Sequence, residues 1–202
     1  MDGLILGGAF NPIHNGHLDC AKAVAHTLGF SRIMLIPCGN LPLPKSTPLA
    51  PAADRLEMCR RAIQPWPIFG VDTLEIDRSG PSFTLDTVRL LRQRGWKQIH
   101  WLLGADALHQ LPSWHESARL LQEVHFVVVQ RPGWKLDWEK LPGPFRKLQN
   151  NLVQGPLIPI CSSDIRRRVA AGKSIHDLVP AEVERYIQEH KLYGAGDEPA
   201  GK

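Results

Sequence analysis

The stretch Gly7-Gly8-Ala9-Phe10-Asn11-Pro12-Ile13-His14-Asn15-Gly16-His17-Leu18 gathers glycines, two histidines and a proline within a dozen residues. Glycine lets a backbone turn sharply and approach a ligand with no Cβ in the way, and unpaired amides at a helix start favour negative charge. Phosphate is the natural occupant of such a junction. His14 and His17 stand three apart, so on a helix both rings share one face, with Cβ atoms about 5–6 Å apart. Both can grip one triphosphate. A bound polyanion favours their imidazolium forms and the helix dipole opposes it; the phosphate charge is larger and nearer.

Other chemistries fit less well. No Glu follows His14 and no third ligand is evident, which disfavours zinc, and no metal-ligating residue is assigned. The Gly-Lys-Ser/Thr ending of a P-loop and the dinucleotide Gly-x-Gly-x-x-Gly are both absent. Surface capping is the bland alternative for the histidines. Further along, Ser162-Ser163 before a helical Arg166 offers a second phosphate cradle, built from hydroxyl cap, helix start and guanidinium fork. A plain cap with solvated arginines fits the same residues, and Arg167 and Arg168 read only as a solvent face. Gly104 and Asp106 close an apolar run, where Asp106 could accept from ribose hydroxyls or merely cap a helix.

These residues must be positioned by something, and the chain supplies an alternating series. Leu4-Ile5-Leu6 is a short apolar run, followed by helical spacing from Leu18 to Leu28 that stops at Gly29. Ile33–Ile36 forms a second buried strand. Pro37, Pro42, Pro44, Pro48 and Pro51 forbid regular structure and predict an ordered but mobile lid. Helices are expected at Asp54–Gln64 and Ser82–Arg94, and extended chain at Ile68–Ile76, Ile99–Leu103, Val124–Val129 and Leu157–Ile160. Residues 131–156 read as an irregular insertion. Helices at Ser162–Ala171 and Ala181–Lys191 complete the series. Such alternation predicts an α/β fold, a doubly wound, mostly parallel sheet with helices on both faces and ligands outside the carboxyl ends of the strands.

With 202 residues, 43% hydrophobic and 22% charged, the composition is that of an ordinary globular protein. A chain this long withdraws roughly 70% of its unfolded surface and needs no staple. We expect a single domain over residues 1–193, with a C-terminal helical part about 162–193 and a flexible tail at 194–202. No apolar run is long enough to span a membrane, and Met1-Asp2-Gly3 lacks a secretion signal, so a cytoplasmic protein is expected. Net charge of +4 is too mild for a DNA-coating surface but suits anionic small molecules. Cys20, Cys38, Cys59 and Cys161 form no Cys-x-x-Cys pair and read as reduced thiols.

The opening string resembles the Gly-Gly-x-Phe-Asp-Pro-x-His-x-Gly-His signature of the nucleotidyltransferase superfamily. Its bacterial nicotinate mononucleotide adenylyltransferase branch is matched by Pro81-Ser82-Phe83-Thr84 with Thr87, Gly104-Ala105-Asp106, Pro112-Ser113-Trp114, Arg131-Pro132-Gly133 and Ile160-Cys161-Ser162-Ser163-Asp164-Ile165-Arg166, in order along nearly the whole chain. The resemblance implies a Rossmann-like fold and adenylyl transfer from ATP to nicotinate mononucleotide, with Mg²⁺ accompanying the triphosphate. It implies catalytic roles for His14, His17 and Arg166. ATP contacts are implied at Gly7, Gly8, Ala9, Phe10, His14, His17, Gly104, Asp106, Ser162, Ser163 and Arg166, and acceptor contacts at Lys45, Thr84, Trp114 and Arg131. Partners are then small molecules, without nucleic acid or membrane. Rival readings are the same transfer to nicotinamide mononucleotide or phosphopantetheine, and a non-catalytic nucleotide-binding paralogue. Asn11 stands where the family usually has aspartate. Leu41-Pro42-Leu43-Pro44-Lys45 replaces the family's Pro-Pro-His-Lys.

Overall fold

The computed structural model describes residues 2–42, 49–130 and 136–194. Six strands, β1 (Asp2–Gly8), β2 (Ile33–Pro37), β3 (Phe69–Val71), β4 (Gln98–Gly104), β5 (His125–Gln130) and β6 (Leu152–Gln154), form one sheet in the order β3-β2-β1-β4-β5-β6. Every pairing is parallel. The order reverses direction between β1 and β4, which makes the carboxyl ends of those two strands the switch point of the sheet.

Crossover helices explain the parallel pairing. α1 (Asn15–Leu28), α2 (Ala52–Ile63), α3 (Thr84–Gln93), the single turn α4 (Ala105–Leu108) and α5 (Ser117–Glu123) connect strands, α6 (Gly143–Arg146) precedes β6, and α7 (Ser162–Ala170) and α8 (Ala181–Glu189) close the chain. Side chains alternate across the sheet at period two. Leu4, Leu35, Leu102 and Val127 point to one core with Ala21 of α1, Met58 of α2, Ile165 of α7 and Val183 of α8. Ile5, Ile36, Trp101 and Phe126 point to a second core with Leu85 and Val88 of α3 and Leu120 of α5. Helices therefore cover both faces, as the alternation predicts.

α1 ends where Gly29 adopts a left-handed conformation at φ 73°, a geometry in which glycine carries no Cβ penalty. The C-terminal helices share the first core, and Tyr186 Oη of α8 donates to Asp54 Oδ1 of α2 at 2.8 Å. No helix among the described residues is long and apolar enough to cross a membrane.

Two expectations are corrected. Leu157–Ile160 is not a strand, and the sixth strand lies at Leu152–Gln154 inside the region read as irregular. Pro156 and Pro159 remove ladder donors from the later run, whereas Leu152–Gln154 keeps all its amides and pairs with Val128–Gln130. The extended stretch at 68–76 also shortens, to Phe69–Val71.

Candidate active site

The opening junction is a turn rather than a glycine arch. Gly7 and Gly8 complete β1, and the chain reverses at Phe10, whose φ is 45°, before a cis Asn11–Pro12 bond. Gly7 is needed for a reason different from ligand approach: a Cβ there would lie 2.3 Å from Trp101 Cζ2. At Gly8 the nearest atom to such a Cβ is Phe10 Cε1 at 3.4 Å, an ordinary contact.

His14 and His17 fall on one face, as their spacing predicts. Their rings stack at 3.6 Å between centroids and 25° between planes, and Phe10 meets His17 edge-on at 5.3 Å. His14 is the N-cap of α1, and its backbone N–H donates to His17 Nδ1 at 3.3 Å. That bond makes Nδ1 an acceptor, which selects the neutral tautomer with its proton on Nε2 while no phosphate is bound. The row of unpaired amides is narrower than expected, because Asn15 N–H donates to Leu178 O and His17 N–H to His14 O.

The turn is stitched down by the far end of the chain. Arg166 Nη1 donates to Asn11 O at 2.8 Å and Ser162 Oγ to Pro12 O at 3.0 Å. Tyr193 Oη donates to Asn11 Oδ1 at 2.9 Å, and Asn15 Nδ2 to Asp177 O at 2.8 Å. Burial pushes the Tyr193 hydroxyl well above its usual range, so it remains a donor. Ser162 is therefore not the cap of α7. Cys161 holds that position, with its Sγ on Asp164 Oδ2 at 2.9 Å, and Ser163 is exposed. Arg166 and Ser162 line neither cleft of the switch point; they hold the turn that does. Arg166 Nε is buried without a partner among the described residues.

Two clefts open at the carboxyl ends of β1 and β4. A cavity of about 250 Å³ is walled by His14, Gly16, His17, Gly104 and Ile158. A second, of about 690 Å³, is walled by Gly8, Ala9, Cys38, Ser82, Phe83, Thr84 and His115. Gly7, Trp101, Ala107 and Trp114 belong to both walls, so the cavities meet over one small seam. The structure thus brings Thr84 and Trp114 to one cleft and the histidine pair with Gly104 to its neighbour. Phe10 is buried behind His17 rather than lining either. Lys45 and Arg131 lie outside the described residues, as does the Asp106 side chain.

Several wall residues carry no sequence signal. Trp101 looks like any strand core residue, although Gly7 seats it beneath both clefts. Glu75 is 5% exposed and lines the larger cavity. Burial raises its carboxyl above the usual range, and hydroxyls of Thr87, at 2.6 Å, and Ser82 partly offset that. Ser82 Oγ also accepts from Gly39 N–H at 3.1 Å. His115 stacks on Phe83 at 4.2 Å. Among the described residues no three His, Cys, Asp or Glu side chains are grouped to hold a metal ion.

An open parallel sheet with paired clefts at its switch point, one edged by a helix start bearing two imidazoles, defines a nucleotide-handling α/β protein. The cytidylyltransferase-like family pattern matches residues 5–168, and the chain belongs to that family. A relative from Roseiflexus sp. RS-1 named "Probable nicotinate-nucleotide adenylyltransferase" is 44% identical over 191 residues, covering 94% of this chain and 96% of the relative. One from Thermomicrobium roseum is 40% identical, covering 94% and 90%. In fold, the chain is similar to the nicotinic acid mononucleotide adenylyltransferase of Plasmodium falciparum complexed with NaAD, at a TM-score of 0.72 and 20% identity over 95% of this chain and 97% of that one.

Proposed function

We propose that this chain transfers the adenylyl group of ATP to nicotinate mononucleotide, releasing pyrophosphate and forming nicotinate adenine dinucleotide in NAD biosynthesis. The observation that carries the reading is the seam of Gly7, Trp101, Ala107 and Trp114 between a cleft holding His14 and His17 and a cleft holding Thr84 and Trp114. Two substrates laid in neighbouring cavities meet there, and the relatives' names fit that pairing.

In this reading a phosphate oxygen of the mononucleotide attacks the α-phosphorus of ATP in line, and the bond to the β-phosphate oxygen breaks as pyrophosphate leaves. The protein supplies alignment and neutralises charge on the leaving group. His17, whose Nδ1 accepts the cap bond, directs its Nε2–H to the leaving phosphates, and His14 stacks beside it. Gly104 borders the ATP cleft, and the family resemblance assigns Asp106 to the ribose hydroxyls. Arg166 acts through the turn, which it holds by its bond to Asn11 O. Thr84 and Trp114 hold the nicotinate ring, a hydroxyl and an aromatic face suiting a flat anionic heterocycle. Lys45 and Arg131 complete the acceptor side.

Mg²⁺ accompanies the triphosphate in this reading. The substrates are soluble small molecules of the cytosol. Incubation with ATP, Mg²⁺ and nicotinate mononucleotide should release pyrophosphate in proportion to acceptor. Nicotinamide mononucleotide or phosphopantetheine giving the faster release would reassign the acceptor, and no release with any of them would overturn the reading.

A further inference from the structure

One cation is buried where a solvated one would be expected. Arg55 lies on α2, whose other charged residues are all partly or fully exposed, yet it is 1% exposed. Its guanidinium reaches three separate segments: Nε donates to Ala50 O at 2.9 Å, Nη1 to Ala9 O at 2.8 Å and Nη2 to Gly39 O at 3.1 Å. Nη1 also approaches Cys38 Sγ at 3.6 Å. No carboxylate lies within ion-pair distance among the described residues. A buried charge is costly unless its donors are matched, and here the matching is done by three backbone carbonyls and the Cys38 sulfur.

We infer that Arg55 is a positioning residue for the acceptor cleft. Ala9 and Cys38 are part of that cleft's wall, and Gly39 carries the N–H that orients Ser82 beside Glu75. One planar fork therefore ties the turn after β1 to the chain after β2. Its geometry matters, because a guanidinium presents donors in fixed directions and an ammonium does not.

The fork also spans the proline-rich stretch expected to form a lid, of which residues 43–48 lie outside the described residues. Gly39 and Ala50, on either side of it, both accept from Arg55, and Ala50 N–H donates to Asn11 Oδ1 at 3.0 Å. One side chain thus holds Gly39 and Ala50 in fixed relation to each other. The positive charge adds a favourable potential behind a site that must gather anions. The inference rests on the adenylyl-transfer reading only for which substrate feels the loss.

The test compares Arg55→Met, Arg55→Lys and Arg55→Ala with the native chain, each first shown folded by circular dichroism. For Arg55→Met we expect kcat/KM for nicotinate mononucleotide to fall about tenfold or more while the KM for ATP stays within about threefold. Arg55→Lys should recover little, and guanidinium at about 10 mM, but not equal sodium chloride, should restore part of the activity of Arg55→Ala. Native kinetics in Arg55→Met, full recovery with lysine, or equal loss for both substrates without rescue would each overturn the inference. Should Arg55→Met not fold, Arg55→Lys carries the kinetic comparison. Hydrogen exchange at Ala50 N–H gives a readout independent of turnover: it should quicken in Arg55→Lys. If native protein releases no pyrophosphate, the reaction reading fails, and exchange alone then decides the clamp; an unchanged rate would sink it.

Discussion

Tyr193 Oη donates a hydrogen bond to Asn11 Oδ1 at 2.9 Å, joining the turn after the first strand to a residue 182 positions later. The same oxygen accepts from Ala50 N–H. Asn11, which replaces the family's usual aspartate, thus acts as a buried neutral acceptor shared by three segments. Tyr193→Phe removes one donor and leaves Asn11 Oδ1 its backbone partner. Loss of about 1 kcal/mol is expected, and a melting temperature lower by about 2–4 °C in calorimetry checks it.

His17→Ala should lower turnover by about 10²–10³, the usual consequence of losing one transition-state donor. The ring also accepts the cap bond from His14 N–H, so a stability loss of about 1 kcal/mol should accompany it. Pyrophosphate release and thermal melts separate the two effects. A variant losing stability alone would demote His17 to a cap.

The adjacent glycines should behave differently. A methyl at Gly7 meets Trp101 at 2.3 Å, whereas one at Gly8 meets Phe10 at 3.4 Å. Gly7→Ala must displace the indole that underlies both clefts and should cost about 1–3 kcal/mol, with weaker binding of both substrates. Gly8→Ala should melt within about 1 °C of native protein, because nothing close to its Cβ needs to move. Parallel urea titrations would show whether the order holds.

Acid should weaken the fold through His100. Its ring is tilted against Phe30 at 4.7 Å and stacked on His125 at 5.3 Å, and Nδ1 is buried without a partner among the described residues. Burial first, and the His125 charge second, lower its pKa, with Asp2 opposing. The unfolded chain therefore binds more protons between the folded value and 6.5. This contribution is complete above 6.5 and is lost as pH falls below it. Glu75 acts in the opposite sense, its raised carboxyl favouring the folded state less as pH climbs from 4.5 through its folded value. Urea midpoints should fall with acid in the histidine window, and His100→Gln should flatten that slope.

How much was legible depends on whether a residue's neighbours in sequence are also its neighbours in space. The opening junction was readable because its glycines, proline and histidines act locally, and the parallel sheet covered on both faces follows from alternating strands and helices, whereas the strand order β3-β2-β1-β4-β5-β6 came only from the fold. Ser162 and Arg166 were found, but their work on the carbonyls of Asn11 and Pro12 depends on contacts about 150 residues away. Arg55 and Glu75 were missed because a charge in a helix or loop ordinarily faces water, and only the fold reveals that these do not. β6 was misplaced because apolar content outweighed the missing amides of two prolines.

Apart from Ala50 N–H on Asn11 Oδ1, the long-range hydrogen bonds described for residues 11–15 are made with residues 162–193. During translation the histidine cup is consequently among the first parts made and the last to be set, since its fastenings leave the ribosome only with the final helices. A nascent or truncated chain ending before Ser162 should form sheet yet stay silent as a catalyst, so that activity marks completion of the whole polypeptide.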